Sequence, residues 1–435
     1  MSRKKIDSIV RFLSISGEIP QLPESFACGS AREWRDVLRW LDASGLALYF
    51  LRRLERSKRT DAVPEHLLME LHKRQRNNRE RTSRMKATFE LLNRRFRDAG
   101  IMYAVLKGYS LIPNYCPDAS LRLQSDLDYL ITRNSKDAAS RILADQGYLR
   151  RPETGEEVQF SIPGQEPTER SLQYDPNSPY AIELQCSVWD HGFNDYPVLT
   201  RNICFEQIQF RESEGLLFPV LPEEEIFIGQ VLHAFTHLMR GGVRASWMLE
   251  LAYFVKHYRD NASFWRNMSS LSESDPMLGE IVGLIIGLAA KAFADTHSLP
   301  RRWTKPLNPM LLFWVEKYGR EFVLEACPGY RPRLFSVAKL VLFLKPRYSA
   351  ERQSRFQFLR HALLPAEGLR RLAQRPRRPL SKVQLVRKNA RWLASRLAYH
   401  FGSNIRYLWE TPSWYRMNKA SISERELVSN PSRTA

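Results

Sequence analysis

The chain predicts an α+β protein: a small mixed sheet with helices, embedded in largely helical N- and C-terminal regions. Three observations predict it. Helical periodicity fills most of the first hundred residues and returns after Pro222. Between them, short apolar segments alternate with Pro, Gly and Asn turns. And the stretch from Ile101 to Thr132 reads as strand, glycine turn, short helix, arginine-bearing loop and second strand, the start on which such a sheet is built.

In chain order, residues 31–57 hold two helical patterns joined at Ala43-Ser44-Gly45. Trp34, Leu38 and Leu41 recur at helical spacing, then Leu46, Tyr49, Phe50 and Leu54. Pro64 opens a longer helix through Leu67, Leu71, Phe89, Leu92 and Phe96, stopped at Gly100. Its charged middle, His72 to Arg84, reads as a solvated face. Met102 to Leu106 is an apolar strand. Asn134 to Gln146 reads as a helix ended by Gly147. Strands follow at Tyr148–Arg150, Gln159–Ile162, Ser171–Tyr174 and Tyr180–Trp189. From Pro222 the pattern is helical: a helix with acids in its first turn, then one carrying Trp247, Leu251, Phe254 and Val255, then Ile281–Ala292, Met310–Tyr318, Leu334–Leu344 and Ser354–Leu364. Arg370 to Pro379 reads as a linker, Lys382 to Phe401 as a basic helix, and the last residues as a disordered tail.

Composition narrows the function classes. At 435 residues with 43% hydrophobic and 26% charged side chains, the chain suits two or three packed domains. The apolar runs of about ten residues are short of the ~18 that span a bilayer, so no transmembrane segment is expected. The N-terminal apolar stretch is too short and broken for a signal peptide. Five scattered cysteines without a CxxC pair speak against a disulfide framework or zinc site and for a reducing cytoplasm. The net charge of +19 is concentrated: residues 351–400 carry thirteen Lys and Arg against Glu351 and Glu367, a local +11. Such a field attracts nucleic acid, anionic lipid (including peripheral contact with the inner membrane) or an acidic polymer, or forms a basic solvated face with no dedicated partner.

The chemistry-bearing residues lie in and after the central stretch. Asp126 and Asp128, at i and i+2 on a strand, point to the same face. Glu183 is the only acid in an otherwise apolar strand centre, and a lone buried acid needs a partner or a metal. Three carboxylates on neighbouring strands are what paired divalent cations need for phosphoryl chemistry. Gly108 lets backbone approach a phosphate, and Ser110 with the following helix offers donors to it. Lys107 and Arg122 would neutralise phosphate charge, unless Lys107 merely ends its strand at the surface.

Lys107-Gly108 after a strand, then Arg122 and Ser125-Asp126-Leu127-Asp128, resembles the signature of the uncharacterised nucleotidyltransferase family of bacteria, within the polymerase-beta-like nucleotidyltransferase superfamily. The resemblance extends to the Trp-containing N-terminal helices, the Ile182-Glu183-Leu184 strand, the helix with His233 and His237, and the Trp247–Ala252 helix. It implies a nucleotidyltransferase-type sheet with Asp126, Asp128 and Glu183 as catalytic metal ligands for Mg²⁺ (or Mn²⁺). Glu183 would hold the cation that activates a hydroxyl acceptor. It further implies a nucleoside triphosphate against Lys107, Gly108, Ser110, Arg122 and Ser125. The chain departs from the family in three places: Gly108-Tyr109-Ser110 replaces Gly-Ser or Gly-Gly-Ser, Glu183 and Gln185 replace Asp and His, and Glu250 replaces Asp.

His233 and His237 share a helix face at i and i+4. With Arg240 and Arg244 they form either a substrate-facing polar stripe, if the helix runs past Gly241-Gly242, or ordinary interhelical packing. The aromatics Trp392, Tyr399, Phe401, Tyr407, Trp409, Trp414 and Tyr415 either stack on bases or sugars or belong to a core. The expected organisation is a helical region at 1–98, a catalytic core at 99–221, a helical domain at 222–364 and a basic extension at 365–435. The expected activity is transfer of an NMP unit from an NTP to a hydroxyl acceptor on a small molecule, saccharide, protein or RNA. The alternative is a non-catalytic module of the same fold that binds nucleic acid, an anionic membrane surface or a partner protein.

Overall fold

The computed structural model describes residues 3–15, 21–151, 157–163, 174–187, 205–213, 215–294, 307–327, 336–348 and 382–429. They group into two compact units. The first holds residues 1–194, 198–236 and 244–305, and the second 195–197, 237–243 and 306–435.

The first unit is built on a seven-stranded mixed sheet of order β3-β4-β5-β2-β1-β7-β6. Its strands are β1 (Tyr103–Leu106), β2 (Asp126–Ile131), β3 (Leu149–Arg150), β4 (Glu157–Ser161), β5 (Ala181–Gln185), β6 (Gln209–Ser213) and β7 (Leu216–Val220). β2 lies antiparallel to β1 and parallel to β5, and β5 is antiparallel to β4. Period-two alternation gives the sheet centre two unlike faces. One presents Tyr103, Leu127, Tyr129, Ile131, Val158, Phe160, Ile182 and Leu184, all buried. The register places Asp126, Asp128, Glu183, Gln185, Glu157 and Gln159 together on the other.

Helix α4 (Glu65–Asp98) covers the apolar face. Phe96 meets Tyr103 and Tyr129 edge-on at 5.4 and 5.3 Å, and Phe89 stacks on Tyr109 at 4.4 Å. The middle of α4 is not simply the solvated face its charges suggest: Asn78 and Arg81 are buried. Asn78 Nδ2 donates to the carbonyls of Ser120 (2.6 Å) and Arg122 (2.9 Å), and the Arg81 guanidinium to those of Gln124, Ser178 and Pro179. These carbonyls belong to the loops that lead into β2 and β5. One long helix thus sets the start of both acid-bearing strands, because buried carbonyls must find donors.

Helices α1 (Arg3–Leu13), α2 (Ala31–Ser44), α3 (Ala47–Arg56), α5 (Lys136–Asp145), α6 (Glu223–Met239), α7 (Ala245–His257), α8 (Ala262–Ser274) and α9 (Pro276–Phe293) complete this unit, apart from the last residues of α6. Helix α2 starts on a Ser30–Glu33 capping box and stops at Gly45, whose φ of 75° suits glycine. Helix α9 begins earlier than its central apolar run suggested. Among the described residues it is the one helix long and apolar enough to cross a membrane by length and composition, with a mean hydropathy of 1.6. It packs along α7 and α8 and is mostly buried.

In the second unit, α10 (Pro309–Trp314) and α11 (Arg320–Glu325) are joined through a π-helical turn, Val315–Gly319. A 3₁₀ segment, Val337–Phe343, replaces the expected α-helix and leads to α12 (Lys345–Tyr348). The final helix, α13 (Lys382–Ser429), runs far beyond Phe401 and continues to Ser429 where a disordered tail was expected. Tyr407 and Trp414 stack on Phe343 at 4.6 and 5.0 Å; Trp414 is core and Tyr407 half-buried, whereas Trp409 points outward. The expected helix at Ser354–Leu364, the linker at Arg370–Pro379 and most of the strand at Ser171–Tyr174 lie outside the described residues.

Candidate functional site

The polar face of the sheet gathers the acids. Asp128 on β2 is the direct cross-strand neighbour of Glu183 on β5, and Asp126 precedes it by one pleat. Asp126, Asp128 and Glu183 each offer a carboxylate oxygen within 4.8 Å of the other two. Lys107, one residue past β1, donates from Nζ to Asp128 Oδ1 at 2.7 Å, and Gln185 Nε2 reaches the same oxygen at 3.3 Å. Gln159 Nε2 donates to Glu183 Oε1 at 2.9 Å. Asp128 Oδ2 is buried without a donor while both acids are ionised, and the Glu183 carboxyl lies within hydrogen-bonding reach of Asp128.

That oxygen tests the donor set. A buried carboxylate oxygen normally has a donor or a cation. Here the carboxyl of Asp128 is pushed up to about 7, first by burial and then by Glu183, with Lys107 opposing. Burial and then Asp128 raise Asp126, while burial and then Asp126 raise Glu183. Glu157 on β4 is raised too, by burial and by Asp128 and Asp126 against the pull of Lys107. For Lys107 burial works against the charge, but Asp128, Asp126 and Glu183 outweigh it and hold the ammonium above its usual range. An all-oxygen cluster that resists full ionisation until more positive charge arrives fits a hard divalent cation.

The turn after β1 brings backbone close to this cluster. Lys107 and Gly108 both have positive φ, 47° and 43°. A Cβ on Gly108 would stand 2.2 Å from Gln124 Nε2, the amide that donates to the Asp126 carbonyl. Gly108→Ala is expected to cost about 1–2 kcal/mol through left-handed backbone strain and to move Gln124 off Asp126. Urea unfolding of the variant checks the figure. Ser110 is buried, and its hydroxyl donates to the Lys107 carbonyl at 2.8 Å, fixing the turn from within. The element after Gly108 is a single 3₁₀ turn, Gly108–Leu111, in place of the expected short helix. Ser125 donates to Asp126 Oδ2 at 3.3 Å.

Arg122 is committed to an ion pair. Its Nε donates to Glu250 Oε1 on α7 at 3.0 Å, and Tyr49 Oη donates to the same oxygen at 2.7 Å. Burial works against the guanidinium's charge, and Glu250 and Tyr49 more than offset it, raising its pKa.

Helix α6 closes one side of the site. A small cavity of about 30 Å³ is bounded by Lys107, Ser110, Gln185, Glu225, Gln230 and His233 among others. His233 also meets the Trp247 ring edge-on at 4.6 Å, and Arg244 lies over that ring at 5.5 Å. The continuous stripe conditional on an unbroken helix is not formed. Helix α6 ends at Met239, Gly241 turns the chain with φ 88°, and Arg244 stands at the N-cap position of α7 without a side-chain capping bond. His237 and Arg240 belong to the second unit, His233 and Arg244 to the first.

Sequence reasoning missed Glu157, Gln159, Asn78 and Arg81. For the first two a signal existed, since Glu157-Val158-Gln159-Phe160 alternates polar with apolar. For the other two none did, because charged residues on a long helix ordinarily face solvent.

Three carboxylates converging on one face of a mixed sheet, beside a lysine–glycine turn, define a protein organised around an acidic cluster with the donor set of a divalent-cation site. The family model described as uncharacterised nucleotidyltransferase matches residues 30–294, well over half of the chain, and the chain belongs to that family. Among solved structures, an antigenic nucleotidyltransferase-like protein from Paracoccidioides brasiliensis is similar over 46% of this chain and 91% of that one, with 12% identity and a TM-score of 0.26. No curated protein matches the sequence.

Proposed function

We propose that the chain is a Mg²⁺-dependent (or Mn²⁺-dependent) nucleotidyltransferase that transfers an NMP unit from an NTP to a hydroxyl acceptor. The observation that carries this reading is the convergence of Asp126, Asp128 and Glu183 within 4.8 Å, with Asp128 Oδ2 buried and without a donor while the acids are ionised. Asp126 and Asp128 would hold the cation shared with the triphosphate, and Glu183 with Asp128 the one beside the acceptor. Bound there, the metal neutralises triphosphate charge and acidifies the acceptor hydroxyl. With a cation held by Asp128, Lys107 would be free to meet the phosphates, and Gly108 would let the backbone come close. The acceptor hydroxyl gives up its proton to solvent, its oxygen bonds to the α-phosphorus as that phosphorus parts from its bridging oxygen, and pyrophosphate leaves. The acceptor is a hydroxyl of a small molecule, saccharide, protein or RNA, in a bacterial cytoplasm.

One observation favours the non-catalytic alternative: Lys107, Ser110 and Arg122 are all engaged within the protein, by Asp128, a backbone carbonyl and Glu250. Pyrophosphate release decides. With Mg²⁺ and each of the four NTPs, the enzyme reading expects slow release even onto water, accelerated by an acceptor panel. Failure of Mn²⁺ to bind at all would remove the metal reading and leave the binding module, whose RNA affinity should fall steeply with salt.

A further inference from the structure

Helix α13 carries a face that the proposed reaction does not use. Leu393, Leu397, Phe401, Ile405 and Leu408 recur at three- and four-residue spacing and so share one side of the helix. That side is open: Leu397 is 55% exposed, Phe401 68%, Leu408 61% and the adjoining Trp409 80%. Ala394 and Ala398 lie between them, also exposed. The opposite side, with Gly402, Ser403, Glu410 and Trp414, is buried. Over roughly 24 Å of helix, none of the residues described as exposed on the outward side is charged. A contiguous apolar patch of this kind marks an interaction surface.

Charge indicates what the surface meets. From Lys382 to Arg396 the helix contains five Lys and Arg and no acid, while Arg406 is paired with Glu321 and Glu410. Arg387 at one end of the stripe and Arg416 and Lys419 at the other are exposed. A second copy of the helix would bring like charges together beside the apolar contact, which is costly. An RNA would find the arginines, but Leu393, Leu397, Ile405 and Leu408 offer it neither stacking nor hydrogen bonds. A bilayer with anionic headgroups satisfies both features. Apolar side chains enter the acyl boundary, basic ones meet the headgroups, and Trp409 and Tyr415 have the amphipathic rings that sit at that level.

We propose that α13 is an interfacial helix that holds this protein on an anionic membrane surface, with the Leu393–Trp409 face inserted and the basic residues against lipid headgroups. This does not depend on the nucleotidyltransferase reading. The helix lies in the surface and does not span it.

The test is flotation of the full chain with vesicles of phosphatidylcholine alone or with about a third phosphatidylglycerol. Binding to the anionic vesicles is expected to be at least tenfold stronger, and to weaken at high salt. The variant Leu397→Ser/Phe401→Ser/Leu408→Ser/Trp409→Ser changes only exposed positions, so its melting curve should match the parent while its vesicle binding falls tenfold or more. Equal vesicle binding by parent and variant would reduce the contact to charge alone and overturn the insertion. So would failure of the parent to float. A concentration-dependent dimer in the parent, lost in the variant, with no flotation of either, would assign the face to a second copy.

Discussion

Asp128→Asn is expected to abolish metal-dependent pyrophosphate release, by roughly a thousandfold or more, about 4 kcal/mol of transition-state stabilisation. The size follows from the position of Asp128. It is the carboxylate paired across strands with Glu183, hydrogen-bonded by Lys107 and Gln185, with its second oxygen left without a donor while the acids are ionised. Asparagine keeps the shape and an acceptor for Lys107 but removes the charge that a cation needs. Stability should move the other way or not at all. Burial holds the Asp128 carboxyl up to about 7, so its ionised form is an unfavourable guest in the fold. A neutral amide beside Glu183 relieves that cost. The signature is therefore Mn²⁺ affinity and turnover lost together, with a melting temperature equal to or above the parent's. Retained Mn²⁺ affinity in the variant would mean that Asp128 is not a ligand. A fall of many degrees would mean that the cluster serves the fold.

Arg122→Met is expected to destabilise the first unit by about 3–5 kcal/mol, because it strands Glu250 as a buried charge. Glu250 Oε1 accepts from both Arg122 and Tyr49, and the Tyr49 hydroxyl also lies 3.1 Å from Cys116 Sγ. Removing the guanidinium leaves that carboxylate with a single neutral donor. The double variant Arg122→Met/Glu250→Gln should recover most of the loss, since the amide oxygen still accepts from Tyr49 and no charge is left unpaired. Urea unfolding of the parent, both single variants and the double variant gives the coupling energy directly. The result bears on mechanism. A large coupling makes Arg122 a strut between the loop before β2 and helix α7. A loss below about 1 kcal/mol, accompanied by weakened nucleotide binding, would return it to the phosphate-binding role suggested by its place in the motif.

These two residues show how far the sequence could be read. Asp126, Asp128 and Glu183 were legible because strand alternation is local: an acid at every second position of an apolar run must share a face with its neighbour. The glycine turn at 108 was legible for the same reason, since positive φ is a property of one residue. Arg122 was not. Its type suits phosphate or carboxylate equally, and Glu250 stands 128 residues away. The β6–β7 hairpin was missed because Phe218-Pro219-Val220 contains a proline, which argues against a strand. Yet β7 pairs in parallel with β1 through Val220, one residue past the proline. Helix α8 was missed because its serines and single charges blur the apolar period.

The strand–helix–strand start that the chain suggested is instead an antiparallel β1–β2 pair linked by 3₁₀ turns. By itself, then, the chain determined the α+β class, the helices with clean periodicity and the identity of the three acids. Those properties depend on spacing within ten residues or so, and short-range sterics and alternation enforce them. Tertiary structure alone decided that the acids converge, because convergence rests on the parallel register of β2 with β5, across more than fifty intervening residues. It likewise decided that Asn78 and Arg81 turn inward to hold both entry loops, and that Arg122 spends its charge on Glu250. It decided which aromatics of α13 are core and which stay outside: Trp414 is packed on Phe343, and Trp409, five residues earlier, is left in solvent. Burial is a property of what lies opposite a residue, and the linear order of the chain does not contain it.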